Sequence, residues 1–230
     1  MKLHTREWGT GDRVAVLVHG IMSDHRTWRR VAPALADQGY RVVAVDLRGH
    51  GASGRGEYGA EVWADDLVET LPKGPELAIG HSLGAMALSL AVDRLAPARA
   101  VYCDPAWELR ADADLVARTF IDAKHAPRSA IAGFNPCWEQ ADVDIELATL
   151  AAWDPATAQA LPDIYAVSRT PARAKVPSLV LRADPSTLVP PDMAGELTRR
   201  GFEVRTVPGV GHTLYRNDFE GFMAALDGWT

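Results

Sequence analysis

Apolar residues along the 230-residue chain fall into short runs separated by amphipathic stretches. "VAVLVHG" at 14–20 and "RVVAVD" at 41–46 are continuous β-branched runs bounded by turn residues, the pattern of strands buried on both faces. Between them, residues 27–38 carry Trp28, Val31 and Leu35 at helical spacing, and Gly39 is a natural stop. The alternation continues. Residues 58–71 place Val62, Leu67 and Leu71 on one helical face. "ELAIG" reads as a strand, the Ala- and Leu-rich stretch 82–95 as a helix, and "ARAVYCD" at 98–104 as a strand. After a gap come a strand at 177–184, a helix at 192–200 and a strand at 202–209. A last helix at 217–226 starts on a capping-box pair, Asn217 and Glu220, with Phe219, Phe222, Met223 and Leu226 along one face.

Strands that alternate with helices predict an α/β fold, a mostly parallel twisted sheet with helices on both faces. Functional residues in such sheets sit just past the carboxyl ends of the strands. Residues 105–175 break the alternation. They hold helical patterns near 112–125, 143–153 and 156–168, separated by prolines, and no strand. The expected organisation is a core of 1–104 and 176–230 with a helical cap inserted at 105–175.

Composition narrows the class only a little. The net charge of −6 and scattered Lys and Arg argue against a nucleic-acid partner. Two cysteines, Cys103 and Cys137, make no disulfide framework. No apolar run is long enough to span a bilayer, and the amino terminus lacks an apolar signal core, so a cytoplasmic location without membrane attachment is expected. A monomer or homodimer is expected for a chain of this size.

The chemistry is concentrated in "AIGHSLG", residues 78–84. Ser82 stands between Gly80 and Gly84 where a strand becomes a helix. A serine hydroxyl needs a base to become a nucleophile and needs to project from a tight turn, which small residues two positions away on either side permit. Past the first core strand, His19-Gly20 would turn the backbone so that the N–H of Ile21, together with that of Leu83, forms an oxyanion hole; His19 itself reads as a structural side chain. Among the seven histidines, His212 in "VPGVGHTLY" follows the last strand and a glycine-rich loop, so it is the expected base. Two aspartates end core strands on the same side, Asp184 and Asp104. Asp184 is the preferred partner for His212 and Asp104 the alternative acid. The histidine spacings match no zinc pattern, so no metal is expected, and no cofactor is implied.

With "HG" at 19–20, "DLRGHGAS" at 46–53, "GHSLG" at 80–84, "ADPSTLVPP" at 183–191 and "GVGHTLY" at 209–215, nearly the whole chain resembles the α/β-hydrolase superfamily. The resemblance implies the α/β-hydrolase fold with an acid after the strand that follows the cap, which favours Asp184. Ser186 and Thr187 lengthen that segment relative to the familiar Asp-Pro-x-Val-Pro form, and some relatives take the acid from the preceding strand, which keeps Asp104 open. The "DLRGHGAS" loop is expected to pair Asp46, Arg48 and His50 internally. Epoxide and haloalkane hydrolases of the superfamily carry a carboxylate where this chain has Ser82.

The reading is a serine hydrolase, of the esterase or lactonase type, acting on a hydrophobic small-molecule ester or lactone. Alternatives are a carbon–carbon bond hydrolase or thioesterase on the same triad, or a non-catalytic ligand receptor. The cap aromatics Trp153, Trp138 and Phe134 are the expected pocket-lining residues, in a set with few cationic hooks.

Overall fold

The computed structural model describes all residues, Met1–Thr230. In chain order the elements are β1 (Thr5–Trp8), β2 (Arg13–Val18), α1 (Val31–Asp37), β3 (Tyr40–Val45), α2 (Ala60–Thr70), β4 (Leu77–His81), α3 (Leu83–Leu95) and β5 (Arg99–Cys103). Then come α4 (Ala113–Ala123), α5 (Arg128–Phe134), α6 (Gln140–Ala152), α7 (Ala156–Gln159) and α8 (Leu161–Ile164). The chain closes with β6 (Ser178–Asp184), α9 (Pro191–Arg199), β7 (Glu203–Pro208), α10 (Leu214–Asn217) and α11 (Phe219–Ala225).

The strands form one seven-stranded sheet in the order β1-β3-β2-β4-β5-β6-β7. Only β1 runs antiparallel, against β3. The five interior strands, β2 to β6, bury both faces, which explains their largely apolar runs. Along β2, Val16 and Val18 enter one core while Ala15 and Leu17 enter the other; on β5, Ala100 and Tyr102 divide from Val101 and Cys103 in the same way. The period-2 geometry of a strand makes that division. One core packs the sheet against α2, α3 and α9, and the other packs it against α1 and the terminal helices. No helix is long and apolar enough to cross a membrane.

Most expected elements fall within a few residues of their observed bounds. Four differences have local causes. The stretch 27–38 is a 3-10 turn at His25–Trp28 followed by α1. The last helix breaks in two at Asp218, whose carboxylate accepts the Gly221 N–H, so Asp218 is the cap and not Asn217. The edge strand β1 is too polar to be read from pattern, because one edge of it is unpaired and its residues are half-exposed. Between β5 and β6 the chain is helical throughout its regular structure, as expected, but in five helices, α4 to α8.

The "DLRGHGAS" loop is bonded both within itself and to the rest of the core. Asp46 accepts from the ring nitrogens of His4 and His25 at 3.0 and 2.7 Å and from the Ala52 N–H at 2.9 Å. Arg48 forks onto Asp66 of α2. Within the loop, Ser53 Oγ–H also donates to the Asp46 carbonyl at 2.6 Å and His50 Nδ1 bonds the Arg48 carbonyl at 3.0 Å; of the three residues expected to pair internally, the Arg48 guanidinium is the one that turns outward.

Candidate active site

Ser82 occupies the joint between β4 and α3 with φ 54° and ψ −119°, a conformation that non-glycine residues avoid. The neighbouring glycines explain why the joint closes. A Cβ on Gly84 would lie 2.2 Å from the His19 carbonyl oxygen, and one on Gly80 would lie 2.7 Å from Cα of Ala85. Any side chain at either position would push the turn apart. The result is a serine whose own residue is only 6% exposed yet lines two adjoining cavities. Its hydroxyl makes no hydrogen bond within the protein, so nothing ties it away from an incoming group.

Leu83 is the first residue of α3, where a backbone N–H has no intrahelical acceptor. Ile21 lies in the turn after β2, and both residues line the larger cavity beside Ser82. A Cβ on Gly20 would come 3.0 Å from Cβ of Ser82 and from Nδ1 of His81, so glycine lets the turn approach the serine without displacing either side chain. His19 is buried and doubly bonded: Nδ1–H donates to the Gly20 carbonyl at 2.7 Å, and Nε2 accepts the Leu47 N–H at 2.9 Å. It fixes the turn, as the sequence reading expected.

His212 lines both cavities with Ser82. Its Nδ1–H donates to Oδ2 of Asp104 at 2.7 Å. That bond fixes the tautomer and leaves Nε2 as the acceptor. Asp104 is buried at the end of β5. Its Oδ1 accepts from the Ser186 hydroxyl at 2.6 Å and, more weakly, from the Ala183 N–H at 3.3 Å. Burial alone would push this carboxyl up; the His212 hydrogen bond and charge, with Ser186 and Ala183, outweigh it and hold the group below the usual carboxylate value.

The preference for Asp184 is therefore corrected. Its side chain is 53% exposed, makes no hydrogen bond, and has Arg182 as its nearest cation at 3.9 Å. Asp104 and Asp184 end adjacent parallel strands, but only Asp104 turns inward. Ser186, the residue that lengthens the "ADPSTLVPP" segment, bridges the two strand ends. Its hydroxyl donates to Asp104 and accepts the Val189 N–H at 2.9 Å.

His81 supports His212 from behind. It is neutral, with burial and the adjacent His212 ring holding it down to about 3. Its Nε2–H donates to the His212 carbonyl at 2.9 Å, and Nδ1 faces the Tyr215 hydroxyl across a long 3.4 Å contact. Thr27 Oγ1 lies 2.9 Å from that hydroxyl.

The larger cavity, about 360 Å³, is mostly apolar. Ile21, Leu109, Val116, Phe120, Leu161, Tyr165 and Leu188 line it. Two of the expected aromatics are elsewhere. Trp153 is fully buried with Nε1–H on Thr157, and Phe134 is 90% exposed on α5. Both positions are aromatic in the sequence, but Trp153 ends α6 facing the core and Phe134 ends α5 facing solvent. Trp138 does line the smaller cavity. That cavity also holds Arg216, a cationic side chain that comes from α10 and not from the helices between β5 and β6.

The only cluster with metal-ligand atoms in reach of one another is His4, His25 and Asp46, within 4.8 Å, remote from Ser82 on the loop described above. Asp46 there already accepts four hydrogen bonds, from the His4 and His25 rings and the His25 and Ala52 N–H groups.

The buried histidines make stability pH-dependent. Burial holds His50 and His81 near 3 and lowers His19. An unfolded histidine titrates at about 6.5. Between these values the unfolded chain binds protons that the native chain excludes, so stability is full above about pH 6.5 and falls as pH drops. At ~1.4 kcal/mol per pH unit per group, His50 and His81 together should lower unfolding free energy by roughly 4 kcal/mol from pH 7 to pH 5. Urea titrations at the two pH values measure it; a constant midpoint would contradict the burial of these rings.

The model of the alpha/beta hydrolase family matches residues 15–225. Among curated proteins, the chain is 39% identical over 93 residues to bifunctional epoxide hydrolase 2 of Sus scrofa, a stretch covering 37% of this chain and 17% of that protein. It is 40% identical over 88 residues to 2-(acetamidomethylene)succinate hydrolase of Mesorhizobium japonicum, covering 36% and 31%. The matched stretches thus span less than a third of either relative. Among solved structures, a variant of the N-formylmaleamic acid deformylase from Pseudomonas putida superposes with a TM-score of 0.81 at 24% identity, covering 97% of this chain and 95% of that one, a likeness of fold.

Proposed function

The chain belongs to the alpha/beta hydrolase family, and on that premise we propose that it is a serine hydrolase. It cleaves a carboxylic ester or lactone of a largely hydrophobic small molecule through an acyl-enzyme on Ser82. The observation that supports this best is the His212–Asp104 pair at the rim of an apolar cavity that Ser82 also lines.

The mechanism follows from the proton inventory. Asp104 holds Nδ1–H of His212, so Nε2 is free to take the Ser82 proton as Oγ attacks the carbonyl. The backbone N–H groups of Ile21 and Leu83 receive the oxyanion, the latter at a helix N-terminus. His212 then returns the proton to the leaving alcohol, water enters, and the same sequence in reverse roles releases the acid. The helices between β5 and β6 act as a cap whose Leu109, Val116, Phe120 and Leu161 select an apolar substrate group.

A hydroxyl at position 82 supports acyl transfer over the ring opening that the epoxide hydrolase relative is named for. Carbon–carbon bond hydrolysis and thioester hydrolysis use the same groups, so the test compares substrates. A fluorophosphonate probe should label Ser82 stoichiometrically, and alkyl and aryl esters or lactones of graded size should turn over faster than β-diketones or thioesters. Failure to label would leave a ligand receptor of the same fold as the reading; faster diketone or thioester cleavage would reassign the reaction.

A further inference from the structure

Beside the large cavity lies a smaller one of about 120 Å³ that shares Ile21, Ser82, Phe120 and His212 with it. The two differ in chemistry. In the whole chain six buried side-chain polar atoms lack a hydrogen-bond partner, and four belong to residues of this one wall: Ser23 Oγ, Trp138 Nε1, and Nε and Nη2 of Arg216. A polar atom removed from water without a replacement partner is strongly disfavoured, so four around one small cavity beside a nucleophile point to a ligand that supplies the partners.

The donor inventory identifies the ligand's chemistry. Arginine and tryptophan nitrogens only donate, so the ligand must present acceptors. Arg216 is 6% exposed and firmly held. Its Nη1 donates to Glu146 at 2.5 Å, and its guanidinium carbon lies 4.6 Å from the Trp138 ring centre. Its Nε is 3.9 Å from Oδ1 of Asp142, beyond hydrogen-bond reach, and that oxygen already accepts from Arg29 at 2.8 Å. What is left is the parallel Nε–Nη2 edge. Four other arginines of this chain use that edge to fork one carboxylate: Arg13 on Glu76, Arg26 on Asp24, Arg29 on Asp142 and Arg48 on Asp66. In Arg216 the same edge hydrogen-bonds no protein carboxylate; Asp142 stands 3.9 Å from Nε and is already forked by Arg29.

We propose that the smaller cavity is a subsite for a carboxylate carried by the substrate. Nε and Nη2 of Arg216 grip it as a fork, with Trp138 Nε1–H and Ser23 Oγ–H as further donors. The proposal rests on the Ser82 hydrolase reading and narrows it to amphipathic esters. The apolar part fills the large cavity, and a carboxylate a few bonds from the scissile carbonyl enters the small one. Glu146 on the same wall holds Arg216 through Nη1 and leaves the Nε–Nη2 edge to the substrate.

The test is the ratio of kcat/KM for monoethyl glutarate to that for ethyl pentanoate, followed by ethanol release. The charged ester should be preferred by at least ~30-fold. Arg216→Lys, which keeps the charge and loses the fork, and Trp138→Phe, which keeps the ring and loses the N–H, should each lower that ratio by ~10-fold. Equal rates for the two esters, or a preference that survives both variants, overturn the subsite while leaving a fluorophosphonate-reactive Ser82 intact as a hydrolase. A binding readout stands apart from turnover. Glutarate, but not sodium chloride at equal ionic strength, should raise the Tm of the wild type and not that of Arg216→Lys or Trp138→Phe. With no hydrolysis of either ester, absence of that shift in the wild type overturns the subsite and its presence upholds it.

Discussion

Ser82→Ala should fold normally and lose at least ~10⁴-fold in kcat toward any ester the wild type cleaves. The two halves of this expectation have separate grounds. For the fold, the Ser82 hydroxyl makes no hydrogen bond within the protein, so its removal leaves no partner unsatisfied. Alanine meets the same backbone strain at φ 54° that serine already meets. The glycines that let the turn close, Gly80 and Gly84, are untouched. The Tm should therefore move by no more than a few degrees. For the rate, His212 and Asp104 act only through the proton of that hydroxyl, and a water molecule in its place is neither aligned nor activated to the same degree. Nucleophile and base function as a unit, so the loss is the full acyl-enzyme route, with binding and oxyanion donors sustaining the remainder. Steady-state kinetics with circular dichroism decide it. A variant that folds and turns over within tenfold of wild type would remove Ser82 from the mechanism.

What could be read from sequence follows from which interactions are local. The elbow was legible because its residue types stand within five positions, although the contact that forces Gly84, with the His19 carbonyl, comes from the end of the neighbouring strand. The parallel strands were legible because burial on both faces leaves an unbroken apolar run, as in "VAVLV". The histidine beside Ser82 was legible because His212 follows the last strand on the side where ligand sites form. The acid was not. Whether Asp104 or Asp184 turns inward depends on how two neighbouring strand ends pack, and the deciding contact, Ser186 to Asp104, joins residues 82 positions apart. The pocket aromatics failed for a related reason. Composition marks Trp153 and Phe134 as large and apolar, but the rotation of α5 and α6 sends one to solvent and one to the core. Arg216 was missed although it lies four residues past His212. Polar neighbours, Asn217, Asp218 and Glu220, hide it in the sequence, and only α10 carries it inward beside His212.

The exchange of acids gives the second large effect. Asp104→Asn should lower kcat by about 10³- to 10⁴-fold, whereas Asp184→Asn should stay within about threefold of wild type. An asparagine at 104 can keep the shape of the site, and its amide oxygen can still accept from Ser186. On the His212 side it then presents an N–H, which pairs with Nδ1 only if that nitrogen gives up its proton. The proton moves to Nε2, and the nitrogen that must accept from Ser82 becomes a donor. The imidazolium formed during attack also loses the buried negative charge 2.7 Å away. KM should change far less than kcat, because Asp104 does not line either cavity. At 184, half-exposed and 3.9 Å from Arg182, the same substitution removes one solvent-screened charge and nothing that faces His212. The pair of variants is decisive because both change the same group to the same group at the ends of neighbouring strands. A large loss at 184 with a small one at 104 would mean that the reacting enzyme holds its histidine from the other strand.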